Sequence, residues 1–174
     1  MDAKGALKVY FGYDSYKPGQ EEIIDSILAG KDVLAIMPTG SGKSICYQVP
    51  ALLLPGITIV ISPLISLMQD QVKALNEAGI KAGYINSSLT ESQISTVYAR
   101  ALDGAYKILY VAPERLESYE FTNFVDKVGI SMVTVDEAHC ISQWGQDFRP
   151  SYLKIVDFID GLSKRPIVSA FTAT

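Results

Sequence analysis

Val33-Leu34-Ala35-Ile36-Met37-Pro38-Thr39-Gly40-Ser41-Gly42-Lys43-Ser44 is an apolar run that breaks into a glycine-punctuated turn ending in lysine and serine. A second segment is built the same way: Met132-Val133-Thr134-Val135 is apolar and ends in Asp136-Glu137-Ala138-His139. Working outward, short β-rich runs recur along the chain. They predict strands at Val33-Met37, Thr58-Ser62, Ala82-Ile85, Lys107-Val111, Met132-Val135 and Ile167-Phe171. Several are apolar throughout, as expected of strands covered on both faces. Between them the apolar residues fall at helical spacing. Ile23, Ile24, Ile27 and Leu28 form one face, and Leu64, Met68, Val72 and Leu75 a second. Ile94, Val97, Tyr98 and Ala101 follow a candidate N-cap at Thr90. Phe121, Phe124, Val125 and Val128 come next, then Leu153, Val156 and Ile159. The alternation predicts an α/β domain over residues 1–174, with a mostly parallel sheet and helices on both faces. Chemistry in such folds collects at the carboxyl ends of strands, where the two opening segments place their polar residues.

Gly40 and Gly42 permit a backbone path in which successive N–H groups point inward as an anion nest, with a helix N-terminus behind them. Lys43 offers a point charge for β- and γ-phosphates, and Ser44 a hydroxyl for Mg²⁺. The strict phosphate-loop signature has glycine where Met37 stands, which leaves the turn to Pro38 and Gly40. By itself the segment also fits a glycine-rich turn that merely starts a helix. Asp136 is the candidate holder of Mg²⁺, and Glu137 the candidate base for an attacking water. Neighbouring strand residues face opposite ways, so the backbone must turn for both to serve one site. A solvated acidic strand end is the plainer alternative. His139 is the only histidine. A coupling role suits it better than metal ligation, because there is no second histidine for a zinc site.

Ser142-Gln143-Trp144-Gly145-Gln146-Asp147-Phe148-Arg149-Pro150-Ser151-Tyr152 follows. Large aromatics beside a guanidinium make a stacking platform for single-stranded bases. They equally suit a hairpin packed into the domain.

Bulk properties narrow the classes. Of 174 residues, 48% are hydrophobic and 20% charged, which fits a packed core rather than disorder. No apolar run approaches the roughly 20 residues of a membrane-spanning helix, so no membrane partner is expected. Cys46 and Cys140 are too few for a disulfide scaffold, and two reduced cysteines fit a cytoplasmic location. A net charge of -4 gives no bulk basic footprint, so any nucleic-acid contact is local.

With these residues in view, the chain resembles the first RecA-like motor domain of the RecQ-family DNA helicases of superfamily 2, over nearly its whole length. Phe11-Gly12-Tyr13 with Lys17-Pro18-Gly19-Gln20 is similar to that family's adenine-recognition motif. Met37 to Ser44 is similar to motif I, and Ser62 to Gln71 to motif Ia. Ala112-Pro113-Glu114-Arg115-Leu116 is similar to motif Ib, Asp136 to His139 to motif II, and Thr172-Ala173-Thr174 to motif III. The loop around Trp144 is similar to the family's aromatic-rich loop, the most specific of these matches.

The resemblance implies ATP and Mg²⁺ as cofactors. Gln20 would read the adenine edge, with Tyr13 and Lys17 beside the base, and Thr39, Gly40, Ser41, Gly42, Lys43 and Ser44 would hold the phosphates. Ser62, Gln69 and Arg115 would meet the DNA backbone. His139, Trp144, Phe148 and Arg149 would couple DNA to hydrolysis, with Thr172 and Thr174 linking the two sites. The implied activity is ATP-driven translocation on single-stranded DNA and unwinding of partly duplex DNA, as in repair and recombination. The location would be cytoplasmic, or nucleoid-associated in a prokaryote. Three departures stand out. Lys17 replaces a usual arginine, Gln146 a common histidine, and Ala112 a frequent threonine. A second RecA-like domain with an arginine finger is implied as partner, so the chain is expected to be a piece of a larger helicase, nearly inactive alone. The alternative is the nucleotide-binding module of a superfamily 2 RNA helicase.

Overall fold

Six strands pair side by side in the order β1-β6-β5-β2-β4-β3, every neighbouring pair parallel. They are β1 (Val33–Ile36), β2 (Ile57–Ile61), β3 (Ala82–Ile85), β4 (Ile108–Val111), β5 (Ile130–Val135) and β6 (Ile167–Thr172). The computed structural model describes residues 1–38, 42–142 and 149–173. Among these, two α-helices precede β1, namely α1 (Ala3–Phe11) and α2 (Gln20–Leu28), and five lie between strands: α3 (Lys43–Leu53), α4 (Ile65–Glu77), α5 (Glu91–Leu102), α6 (Tyr119–Val125) and α7 (Lys154–Asp160). All six predicted strands form, with ends shifted by at most two residues.

Strand side chains alternate between two faces, and each face has its own core. Ala35, Val60, Ile108, Tyr110, Met132 and Phe171 pack with Ile27 of α2, Cys46 and Tyr47 of α3, and Met68, Val72 and Leu75 of α4. Ile59, Ile61, Leu109, Val111, Val133 and Val135 pack with α5, α6 and α7 through Ile94, Tyr98, Phe121, Phe124 and Ile155. Ala6 and Leu7 of α1 close over Ile24, Ile45 and Val49.

Local chemistry explains where the helices begin. Thr90 accepts from Gln93 N–H at 3.2 Å while Gln93 Oε1 accepts from Thr90 N–H at 2.8 Å, a reciprocal capping box. Ser118 caps α6 through Phe121 N–H. The unanticipated helix α1 had signals at both ends. Asp2 accepts from Gly5 N–H at 2.8 Å, and Gly12 takes the left-handed conformation (φ 76°) that ends it. Its apolar stripe is short and interrupted by Gly5, which hid the period.

One strand departs from expectation. β1 is apolar throughout, yet it lies at a sheet edge. Ala35 is buried against α2 and α3, whereas Leu34 and Ile36, on the opposite face, are each 68% exposed. Asp32 fixes the register of this edge, accepting from Val168 N–H at 2.9 Å and from Arg165 at 3.1 and 2.7 Å. At the amino end of β2, a Cβ on Gly56 would lie 2.4 Å from Gly129 O, so only glycine lets these two segments approach.

Phe121 is fully buried against Phe124 and Phe158, with ring centroids 6.0 and 5.4 Å away. Phe121→Ala is expected to cost about 3–5 kcal/mol in urea-monitored unfolding. Thr90→Ala, which removes only the cap, is expected to cost about 1 kcal/mol.

Candidate active site

The strand order brings the carboxyl ends of β1, β6, β5, β2 and β4 side by side. Along that edge lie, in sequence, the loop after β1, Thr172, Asp136, Ser62 and the 3₁₀ turn Pro113–Glu117 that carries Arg115. The parallel ladders therefore set the candidate nucleotide residues beside the candidate nucleic-acid residues.

Lys43 is the first residue of α3. Its N-cap, Gly42, is left-handed (φ 79°, ψ 36°), and no side chain caps the helix. The early N–H groups of α3 thus make a helix N-terminus that is a favourable place for an anion. The positive φ of Gly42 strains any other residue, and a Cβ there would sit 2.3 Å from Gln20 Nε2, so Gln20 would have to shift out of its present position. Gln20 is 3% exposed and spans two segments, its Nε2 donating to Gly42 O at 2.9 Å and its Oε1 accepting from Lys17 N–H at 2.8 Å. The candidate adenine reader is thereby tied to the root of the phosphate loop. Lys17 and Tyr13 are exposed. Lys17 lines a cleft of about 620 Å³ with Pro18, Gly19, Ile23, Ile36 and Pro38. Behind the loop, Tyr47 of α3 shares its hydroxyl with Tyr110 of β4 at 3.0 Å and donates to Gln71 of α4 at 3.1 Å. This buried network holds α3 against the sheet.

Asp136 directly follows β5, its N–H donating to Ile61 O at 2.9 Å. Glu137 has φ 54° and ψ 45° and is the one non-glycine with positive φ among the described residues. This is the turn that the strand alternation demanded. It costs roughly 1–2 kcal/mol relative to right-handed backbone. It also brings both carboxylates to one cation: Lys43 Nζ lies 3.2 Å from Asp136 Oδ1 and 3.5 Å from Glu137 Oε1. Glu137 N–H donates to Asp136 Oδ1 at 3.0 Å. Asp136 is 4% exposed. Burial raises its carboxyl above the ordinary aspartate range, and the Lys43 ammonium and the Glu137 amide only partly reverse that rise.

His139 Nδ1 lies 3.5 Å from Glu137 Oε2 and 3.1 Å from Thr172 Oγ1. Thr172 O in turn accepts from Met37 N–H at 2.9 Å. The root of the phosphate loop, the end of β6 and the acidic turn are thus one connected unit. The oxygen donors Ser44 and Asp136 suit a hard divalent cation such as Mg²⁺. No cluster of three or more His, Cys, Asp or Glu is placed to hold a metal ion among the described residues.

Farther along the edge, Ser62 is 3% exposed and its Oγ accepts from Leu64 N–H at 3.4 Å. Gln69 Nε2 donates to Ser88 Oγ at 2.8 Å, and Arg115 is half-buried. Arg149 N–H donates to Cys140 O at 3.0 Å, closing the base of the segment that follows the acidic turn. Thr39, Gly40, Ser41, Trp144, Phe148 and Thr174 lie outside the described residues. Sequence reasoning took Tyr152 only as one of the aromatics of the segment after His139 and missed that its hydroxyl donates to Asp136 O at 2.7 Å; it also missed the contact between Gln20 and Gly42. Neither pairing has a local signature, since each joins residues distant in the chain.

The profile of the DEAD/DEAH box helicase family matches residues 17–174. The chain is 51% identical to the ATP-dependent DNA helicase RecQ of Bacillus subtilis over 99% of its own length and 29% of the relative's. It is 46% identical to the probable ATP-dependent DNA helicase RecS of the same organism, covering 97% of this chain and 34% of that one. The chain thus spans about a third or less of the length of these relatives. Among solved structures, the helicase MrfA bound to DNA and AMPPNP superposes with a TM-score of 0.74 at 19% identity, over 99% of this chain and 26% of that one. A hypothetical ATP-dependent RNA helicase from Sulfolobus tokodaii gives 0.72 at 22% identity, over 99% of this chain and 50% of that one. Both share the RecA-like fold of the motor. Since the family profile covers all but the first sixteen residues and the fold agrees with it, the chain belongs to the DEAD/DEAH box helicase family.

Proposed function

We propose that this chain is the ATP-binding half of the motor of an ATP-dependent DNA helicase of the RecQ type. The observation that carries this reading is the cluster of Lys43, Asp136 and Glu137 at adjoining strand ends, with His139 and Thr172 beside it. In the helicase, Lys43 transfers its charge from the two carboxylates to the β- and γ-phosphates, and Gln20 holds the loop root as adenine docks. Ser44 and Asp136 hold Mg²⁺, which when bound neutralises charge on the phosphate oxygens. Glu137, oriented by His139, orients the attacking water and accepts its proton. Thr39, Gly40, Ser41 and Gly42 supply the phosphate cradle, and Tyr13 and Lys17 flank the base.

On the nucleic-acid side, Ser62, Gln69 and Arg115 lie on the same edge of the sheet. They are proposed to meet the DNA backbone, directly or through the backbone they order. Trp144, Phe148 and Arg149 would stack on single-stranded bases and, with His139, Thr172 and Thr174, relay that contact to the acidic turn. A second RecA-like domain would close over the nucleotide and add an arginine. DNA is preferred to RNA because the relatives at 46–51% identity are named DNA helicases, while the likeness to an RNA helicase lies in the fold alone. A cytoplasmic or nucleoid location would follow from that activity.

Lys43→Ala is expected to abolish nucleotide binding in calorimetry and to abolish ATPase in the full helicase. Wild-type turnover in that variant would refute the phosphate site. For substrate class, single-stranded DNA is expected to stimulate ATPase of the full helicase at least about tenfold more than RNA of equal length, a barrier difference of about 1.4 kcal/mol. Stimulation by RNA alone would reverse the assignment.

Asp136 supplies a pH test. Its carboxyl prefers its proton in the folded chain, so the folded state binds more protons than the unfolded state above the ordinary aspartate value of 3.8. Stability therefore falls as pH rises through that window, and neutralising the side chain removes the loss. Asp136→Asn is expected to melt above wild type at pH 7 in a thermal scan. The gap should shrink as pH falls toward 4, and equal melting temperatures at both pH values would contradict the burial argument.

A further inference from the structure

Tyr152 is completely buried in the core formed by α5, α6 and α7, in the 3₁₀ turn Pro150–Leu153 that precedes α7. Its phenol does more than fill space. The hydroxyl donates to the main-chain oxygen of Asp136 at 2.7 Å. That oxygen belongs to the peptide joining Asp136 to Glu137, and the N–H of the same peptide donates to Asp136 Oδ1 at 3.0 Å. The plane of one peptide is thus gripped at both ends, by Tyr152 at the carbonyl and by the Asp136 carboxylate at the amide. The next backbone step is the left-handed Glu137. Burial, reinforced by the nearby acidic groups, pushes the Tyr152 phenol well above its ordinary value, so it stays a protonated donor.

We propose that Tyr152 is a positioning residue for the metal-side carboxylate: through the Asp136–Glu137 peptide it fixes the rotamer in which Asp136 meets Mg²⁺. The proposal rests on the nucleotide·Mg²⁺ reading of the site given above. Without the hydroxyl, the carbonyl is released and the peptide is free to turn. The amide that fixes Asp136 Oδ1 then turns with it. Partners of metal ligands act in this way, by restricting a ligand's orientation without touching the metal. The same turn connects to Arg149, since Tyr152 N–H donates to Arg149 O at 2.9 Å and Arg149 N–H to Cys140 O. Tyr152 is therefore one described link between the proposed coupling arginine and the acidic turn, beside the route through Cys140, whose N–H donates to Glu137 O at 3.0 Å.

The test is calorimetric binding of a non-hydrolysable ATP analogue to the chain, with Mg²⁺ and with EDTA. Tyr152→Phe keeps the ring and removes only the hydroxyl. It should bind the analogue as wild type does in EDTA, yet lose about tenfold of the affinity that Mg²⁺ adds, the low end for a partner of a metal ligand. A purely structural role would weaken both conditions alike. Ile155→Val, which loosens the same core without touching Asp136, should retain the full Mg²⁺ gain. A full gain in Tyr152→Phe, or an equal loss in Ile155→Val, overturns the proposal. Failure of wild type to gain affinity from Mg²⁺ overturns the underlying nucleotide reading instead, so the two failures are told apart.

Discussion

The backbone ladder from β1 through β6 to β5 is the constraint on which the site depends. It places the loop after β1 one strand away from the turn after β5, although these segments are far apart in sequence. Thr172 at the end of the intervening strand touches both sides, through Met37 N–H and through His139. With the ladder in place, Lys43 meets Asp136 and Glu137. Without it, the same residues are a basic turn and an acidic turn with no chemistry in common.

The site also carries deliberate cost. Asp136 is buried enough to resist ionising, and Glu137 adopts a conformation that L-residues avoid. Both features place carboxyl groups where Lys43 and a divalent ion would favour their charged forms. A left-handed non-glycine persists only where surrounding contacts over-determine it. Here those contacts are Ile61 O on one side of Asp136, Tyr152 on the other, and His139 against Glu137.

Much of the architecture was legible in the sequence. The apolar runs marked all six strands because buried parallel strands need no alternation. Thr90 announced α5 because a capping box is a local pattern. The need for a backbone turn at Asp136-Glu137 followed from strand geometry alone, and Glu137 supplies it. Other features were hidden. Helix α1 has too weak a period to stand out beside Gly5. The exposure of Leu34 and Ile36 was hidden because composition reports that a strand is apolar but not where it sits in the sheet.

The sequence by itself determined the residue types and their local settings: a glycine at the left-handed N-cap of α3, lysine and serine behind it, two carboxylates at a strand end, and one histidine two residues later. It also carried the family, through motifs that are short and contiguous. The tertiary structure alone decided which groups meet. Gln20 against Gly42, Tyr152 under Asp136 and His139 against Thr172 are contacts between distant segments. Local propensity reaches only a few residues along the chain, whereas sheet order and core packing fix such pairings. For that reason the chemistry was readable one segment at a time, and its assembly was not.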